Sequence, residues 1–313
     1  MKNFKVSVVV AVYNEEGNVP LLTKQLTAVL KAYPDYEIIF VDDGSQDDTL
    51  AQIKKLHAQN KKVQYLALSK NCGQQYAIKA GLDAATGDCV ISMDGDLQHP
   101  VSMIPKMITA WQTGNDIVYT VRADSRGETF FKRMTSKVFY KLFNFLSGLK
   151  LPAGTADFRL LDRKVVDVIC ALPEKKLFLR GIVFSLGFKQ VALSYMPDKR
   201  HSGTSGYSFK KMLSLALAGV TSFSIKPLRL AIYMGVFVAM LGCAFTVYVL
   251  YMKLAGGAVI SGWASMMSVS LILGGVQLFV MGIIGEYVGM IYTETKARPG
   301  YIVRETSIRK GKK

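Results

Sequence analysis

The stretch ISMDGDLQHP, residues 91–100, begins as apolar as a buried strand and ends in two carboxylates one glycine apart. Side chains two apart in an extended segment point the same way, so Asp94, Asp96 and Gln98 are expected to present oxygens to one side. Gly95 between them brings no side chain to crowd a ligand that approaches the backbone. Two hard oxygens are too few to cage Ca2+, but they suit Mg2+ or Mn2+ held jointly with the phosphates of a substrate. The whole chain carries a formal charge of +16, so acids gathered at the mouth of a strand need a reason. A cation shared with a diphosphate supplies one. The bland alternative is a solvated turn, and the place at the end of an apolar run weighs against it.

VDDGSQDDT, residues 41–49, has the same shape: apolar strand, acids, glycine turn, helix start. Ser45 and Asp48 have the spacing of a helix N-cap, which makes the later acids structural. Asp42 or Asp43 can accept hydrogen bonds from a base or a ribose. The first, the second or both can fill that role.

Such residues need elements to hold them. The first 122 residues alternate strand-like runs (6–13, 36–43, 63–69, 88–94 and 116–122) with helical segments near 18–32, 46–59, 73–86 and 100–112. This alternation predicts an α/β domain with a parallel sheet covered on both faces, whose ligands bind at the carboxyl ends of the strands. Asn14, Glu15, Glu16, Asp42, Asp43, Asn71, Asp94 and Asp96 all fall at those ends. No GxGxxG follows a strand and no GxxxxGK[ST] occurs, which argues against a dinucleotide enzyme and a P-loop NTPase. No internal repeat or low-complexity segment is present.

Further along, residues 231–252 and 263–285 are uncharged and apolar, and each is long enough to cross a hydrocarbon core of about 30 Å. Two buried helices of a soluble protein are the alternative. The amino-terminal apolar run is strand-like and unlike a signal peptide. Cys72, Cys89, Cys170 and Cys243 have no metal-type or pairing spacing, which fits a reducing compartment. The tail is basic and the connector between the spans uncharged, so the positive-inside rule places the large amino-terminal part and both termini in the cytoplasm. We therefore expect a multi-pass protein of the plasma (inner) membrane. Residues 128–150 and 207–227 read as basic amphipathic helices, either core-facing or lying on an anionic leaflet. The expected divisions are a catalytic domain over 1–206, a juxtamembrane helix over 207–228, the two spans within 229–292, and a basic tail over 293–313.

VVVAVYNEE, VDDGSQDDT and ISMDGDLQHP, in that order and spacing, resemble the large inverting glycosyltransferase family with the nucleotide-sugar A-type fold, a Rossmann-like domain. TADFRLL (155–161), RHSGTSGY (200–207) and the two spans narrow the likeness to the polyprenyl-phosphate sugar transferases. Within these it resembles the dolichyl-phosphate mannose synthase group and, more closely, bacterial undecaprenyl-phosphate glucosyltransferases. The resemblance covers nearly the whole chain. It implies that Ala11, Tyr13 and Glu15 bind the nucleoside, with Val41 and Asp43 at the base and ribose. It implies that Asp94, Asp96 and Gln98 form the metal and diphosphate site. Arg122, Arg133 and Ser136 resemble the acceptor-phosphate pocket, and Arg200 the arginine of a loop that closes over the diphosphate. One departure is Gly206, where the family often has lysine; Lys199 is a possible substitute.

Sugar transfer needs a nucleophile, a stabilised leaving diphosphate and a held geometry. A metal and Arg200 neutralise the charge that develops on the leaving group. A phosphate monoester acceptor is already largely dianionic at neutral pH, so a strong base is unnecessary, in keeping with the lack of any His or Cys constellation. Asp157 is nonetheless the best placed residue for a base or a sugar-positioning group, and Arg159 is either functional or a salt-bridge partner. His99 and His201 are not taken as catalysts. Basic amphipathic helices and anchoring spans suit a lipid whose tail stays in the bilayer while its phosphate enters the site. The chain has no QxxRW and its only tryptophans are Trp111 and Trp263, which favours single transfer over processive synthesis.

The expected reaction is transfer of one hexose, glucose from UDP-glucose, onto undecaprenyl phosphate. GDP-mannose or a UDP-amino-arabinose donor, a diacylglycerol or ceramide acceptor, and a silent scaffold that binds nucleotide-sugar are the alternatives. Nucleic acid is not an expected partner. Gln277 and Glu286 near the second span are either interfacial or functional, and GxxG-like segments allow a homo-oligomer.

Overall fold

The β-branched run KVSVVVAV forms strand β1 (Lys5–Val12), buried on both faces as the centre of a covered sheet requires. The structure is a computed structural model that describes residues 3–123, 144–145, 147–148, 152, 154–174, 177–196, 224–255 and 262–308. From β1 the chain alternates through α1 (Val19–Leu30), β2 (Asp35–Asp42), α2 (Thr49–Gln59), β3 (Val63–Leu68), α3 (Gln74–Ala84), β4 (Cys89–Asp94), α4 (Met103–Gln112) and β5 (Ile117–Arg122). Every strand and helix expected in this half is present, with ends shifted by a few residues. Then come β6 (Thr155–Asp162), α5 (Arg163–Ala171), α6 (Leu179–Ser185), β7 (Gln190–Tyr195), α7 (Lys226–Leu254), α8 (Trp263–Thr295) and β8 (Val303–Thr306).

The strands form one sheet in the order β7-β5-β6-β4-β1-β2-β3-β8. The expected parallel sheet is corrected to a mixed one. β6 inserts antiparallel between β4 and β5, and β8 lies antiparallel on β3. The TADFRLL segment is thus a central strand. Its period-two alternation sends Phe158 and Leu160 to one face and Leu161 to the other.

The same alternation splits β1. Val8 and Val10 pack with Leu22, Leu26, Ile104 and Met107 on the α1, α2 and α4 side. Val9 packs with Ala77, Ile78 and Val165 on the α3, α5 and α6 side. Each such side chain, fully withdrawn from water, contributes about 1.5–3 kcal/mol. This three-layer body holds the carboxyl ends of β1, β2 and β4 rigidly side by side.

α7 and α8 contain both expected spans and extend beyond them. Their apolar windows, Lys226–Val249 and Ile272–Thr295, are long and apolar enough to cross a membrane, and they are almost entirely uncovered by protein. At 33 residues α8 is about 50 Å long, more than a hydrocarbon core needs. Most of the two expected amphipathic segments lies outside the described residues. Of the expected tail over 293–313, the described residues 293–308 are tied to the body. Glu294 still belongs to α8, β8 is an edge strand, and Tyr301, Val303 and Ile308 pack on the second core.

Candidate active site

A cleft of about 300 Å³ opens at the carboxyl ends of β1, β2 and β4, lined by Ala11, Tyr13, Glu15, Asp43, Asn71, Gly73, Gln74, Asp94 and Asp96 among others. Of the residues assigned to the nucleoside, Ala11, Tyr13, Glu15 and Asp43 therefore meet in one place, and Asp94 of the metal and diphosphate set joins them. Val41 does not: it is wholly buried in the second core, because its place in β2 turns its side chain under α3.

The wall is built by stitching loops together. Ser45 Oγ accepts from the backbone N–H of Asn14 at 3.0 Å, and Thr49 Oγ1 accepts from that of Glu15 at 2.8 Å. Asn14 Oδ1 in return accepts from the Gln46 N–H at 2.9 Å. The expected N-cap is corrected by this arrangement. α2 has no side-chain bond from its N-cap residue, Asp48, and Ser45 serves the β1 loop instead. Asp43 lines the cleft while its two oxygens accept the N–H groups of Cys72 (2.7 Å) and Gly73 (2.8 Å). Burial pushes its carboxyl up, those amides oppose the shift, and neighbouring Asp42 adds to it. Asp42 is fully buried. Its Oδ1 accepts from Ser45 N, and its Oδ2 has no hydrogen-bond partner among the described residues.

At the end of β4, Gln74 Nε2 donates to Asp94 Oδ1. The Asp94 backbone N–H donates to His99 Nδ1 at 3.1 Å, which leaves the ring proton on Nε2, 3.8 Å from Asp94 Oδ2. His99 is buried and stacked on Phe158, so it holds the turn. Gly95 is required by a neighbour as well as by any ligand: a Cβ there would lie 2.5 Å from Val12 Cγ1. The extended reading past Asp94 is corrected. β4 ends at that residue, Leu97 takes a φ of 63°, and Asp96 Oδ1 accepts from the Gln98 N–H at 3.1 Å. Asp94 and Asp96 face the cleft, and Gln98 is not among its lining residues.

Burial pushes the Asp94 carboxyl up; His99 opposes that, and the charges of Asp157 and Asp96 add to it. Negative charge concentrated in this way fits a divalent cation. Among the described residues no group of three or more His, Cys, Asp or Glu makes a cage of its own, so substrate phosphates would have to complete the shell.

Beneath the acids lies a buried ion-pair network centred on Asp157 in β6. Arg159 Nη2 reaches Asp157 Oδ1 at 2.9 Å, and Arg180 binds the same carboxylate twice, Nε at 2.9 Å and Nη2 at 2.8 Å. Gln75 Nε2 adds a bond at 3.3 Å. Burial opposes ionisation here, but the two guanidinium groups win and hold the carboxyl far below the usual range. Arg159 is thus a partner of Asp157. Arg122 is exposed at the end of β5, near Tyr195, whose phenol burial pushes up to about 12. Arg133, Ser136 and Arg200 lie outside the described residues.

Sequence reading missed Gln74, Gln75 and Arg180. Their only signal is position: the two glutamines open the helix that follows β3, and Arg180 opens a short helix after a loop.

The pattern of glycosyl transferase family 2 matches residues 7–170, and that of the GtrB C-terminal hairpin matches residues 226–291. The uncharacterized glycosyltransferase YkcC of Bacillus subtilis (strain 168) is 41% identical over 306 residues, 97% of this chain and 95% of that protein. The bactoprenol glucosyl transferase of Shigella phage SfX is 41% identical over 302 residues, 96% of this chain and 99% of that one. A solved glucosyl-3-phosphoglycerate synthase from Mycobacterium tuberculosis, in complex with Mn2+, UDP and phosphoglyceric acid, has 20% identity and a TM-score of 0.47 over 70% of this chain and 76% of its own. With relatives matched along nearly its entire length, the chain belongs to glycosyl transferase family 2.

Proposed function

We propose that the protein transfers one glucose from UDP-glucose, with inversion, onto undecaprenyl phosphate at the cytoplasmic face of the membrane. The observation that carries this reading is one chain's pairing of an acid-lined cleft with two uncovered apolar helices. Relatives of the same length named bactoprenol glucosyl transferase support it.

In this reading Tyr13, Glu15 and Asp43 hold the nucleoside end of the donor. Asp43 still has lone pairs to accept from it, because each oxygen is engaged by a single amide. What a divalent ion, Mg2+ or Mn2+, supplies when held by Asp94 and Asp96 is neutralisation of charge on the leaving diphosphate. An oxygen of the acceptor phosphate attacks C1 of the sugar as the bond from C1 to the diphosphate oxygen breaks. UDP leaves with that electron pair, and the configuration at C1 inverts. The nucleophile is already anionic, so no residue need take its proton. Asp157 is therefore a positioning residue: an anion saturated by two arginines keeps its place and is a poor base. Arg122, Arg133 and Ser136 receive the acceptor phosphate, and Arg200 closes over the diphosphate.

A donor screen tests this. The full-length protein in liposomes is offered undecaprenyl phosphate, Mg2+ or Mn2+, and UDP-glucose, UDP-galactose, GDP-mannose or UDP-amino-arabinose, with the lipid product read by mass. Glucosyl-phosphoryl-undecaprenol from UDP-glucose alone, lost on chelation, is the expected result. Nucleotide-sugar binding with no lipid product from any donor would sink the proposal.

A further inference from the structure

We infer that the segment that follows the membrane helices, residues 300–307, is a positioning element of the donor cleft, so that the chain leaving the membrane sets the geometry of the site. This rests on the reading of the cleft as the donor site. Neither family pattern reaches this segment: they end at residues 170 and 291.

The cleft's far wall is the stretch from the end of β3 to the first turn of α3. Asn71, Gly73 and Gln74 line the cleft, and the N–H groups of Cys72 and Gly73 sit on Asp43. Gln74 is bonded to Asp94, and Gln75 to Asp157. This one turn therefore touches the nucleoside acid, the cation acid and the buried network together.

The segment grips that turn from behind at both ends. Where the chain enters it, the Ser69 N–H donates to the Ile302 carbonyl at 2.8 Å, continuing the pairing of β8 with β3. Tyr65 and Ser307 lengthen the seam, with Tyr65 N–H to Ser307 Oγ at 2.8 Å and Ser307 N–H to the Tyr65 carbonyl at 3.1 Å. Where the chain leaves the turn, Gly300 packs close against the ring of Tyr76. A Cβ at Gly300 would stand 2.3 Å from Cε1 and 2.7 Å from Cδ1 of that ring. One residue on, the Tyr301 hydroxyl donates to Asp83 Oδ2 at 2.7 Å, near the other end of α3.

The last turn of α8 is electrostatically felt at the same place. The Tyr76 phenol is pushed up by burial and, after that, by the Glu294 carboxylate in the last turn of α8. α8 ends at Thr295, five residues before Gly300, so a shift of α8 relative to the body acts on the segment that packs on the helix carrying Gln74 and Gln75. Misplacement of catalytic groups by about 1 Å can cost up to about 100-fold in rate. A Cβ 2.3 Å from the Tyr76 ring obliges either that ring or the segment itself to move.

The test uses the full-length protein in lipid nanodiscs, with UDP-glucose and Mn2+ as the probe. Native binding is measured first, since a native protein that binds no nucleotide-sugar removes the donor reading itself. Given native binding, Gly300→Ala should weaken donor affinity and raise donor KM about tenfold, with the KM for undecaprenyl phosphate unchanged. Unaltered donor affinity in a folded Gly300→Ala protein overturns the inference, as does an equal loss for donor and lipid. A second measurement needs no substitution. Coupling is reciprocal, so saturating UDP and Mn2+ should slow amide exchange at residues 302–306 of the native chain. Exchange there that ignores the ligand, while the Cys72 and Gly73 amides become protected, overturns it equally.

Discussion

At the scale of single residues, the cleft separates groups that line it from groups that hold those groups. Asp96→Asn and Asp94→Asn should each lower transfer by about 100-fold or more, and chelation should do the same to the native protein. A metal-independent rate would contradict this. Asp157→Asn acts otherwise. It leaves Arg159 buried without its carboxylate, a change that costs about 3–5 kcal/mol of stability. The ionised Asp157 is stabilised by folding, so its contribution is present above the ordinary aspartate range and lost only as pH falls through its far lower folded value. Rate against pH should then show no limb from Asp157 near neutrality. An acidic limb that vanishes in Asp157→Asn would identify a base after all. Asp94 and Asp96 were legible because charge at the end of an apolar strand has few innocent explanations. Gln74, Gln75 and Arg180 were not, because their importance lies in what they touch across the fold, and an amide at a helix start carries no pattern of its own.

At the scale of elements, the foot of the sheet is tied by one buried carboxylate. Glu37 in β2 accepts from Ser7 Oγ of β1 at 2.6 Å, from the Thr86 N–H at 2.8 Å and from Lys5 Nζ at 3.0 Å. Burial would raise its pKa, but these bonds outweigh burial and lower it. Its stabilisation is therefore full above the ordinary glutamate range and disappears as pH falls through the lowered folded value. Glu37→Gln should cost about 1–3 kcal/mol in unfolding experiments near neutral pH, and the two proteins should converge in acid. A deficit that persists undiminished in acid would refute that account. The strands from β1 to β5 could be read locally because each is a continuous apolar run between turn signals. β6 hid because its interior carries Asp157 and Arg159, charges that only their mutual pairing allows to be buried. β8 hid because four residues, VRET, alternate half-buried and exposed, and their partner lies more than 230 positions away in sequence.

At the scale of the whole molecule, the pairing of β8 with β3 requires residues before and after the two long helices to share one side of any membrane those helices cross. With the basic tail, the expected side is the cytoplasm. In a background without the four native cysteines, Lys24→Cys and Arg304→Cys should react with an impermeant thiol reagent only in inside-out vesicles, and Gly262→Cys only in right-side-out ones. Labelling of Lys24→Cys and Arg304→Cys from opposite faces would contradict the pairing itself. The same strand has a consequence for synthesis. Until residues 303–306 leave the ribosome, after both apolar helices have done so, β3 is an open edge with unpaired N–H and C=O groups, a template on which another chain can add a strand. Every nascent copy therefore passes through a stage at which its α/β domain is sticky along one border, and the emergence of residues 303–306 is what seals it.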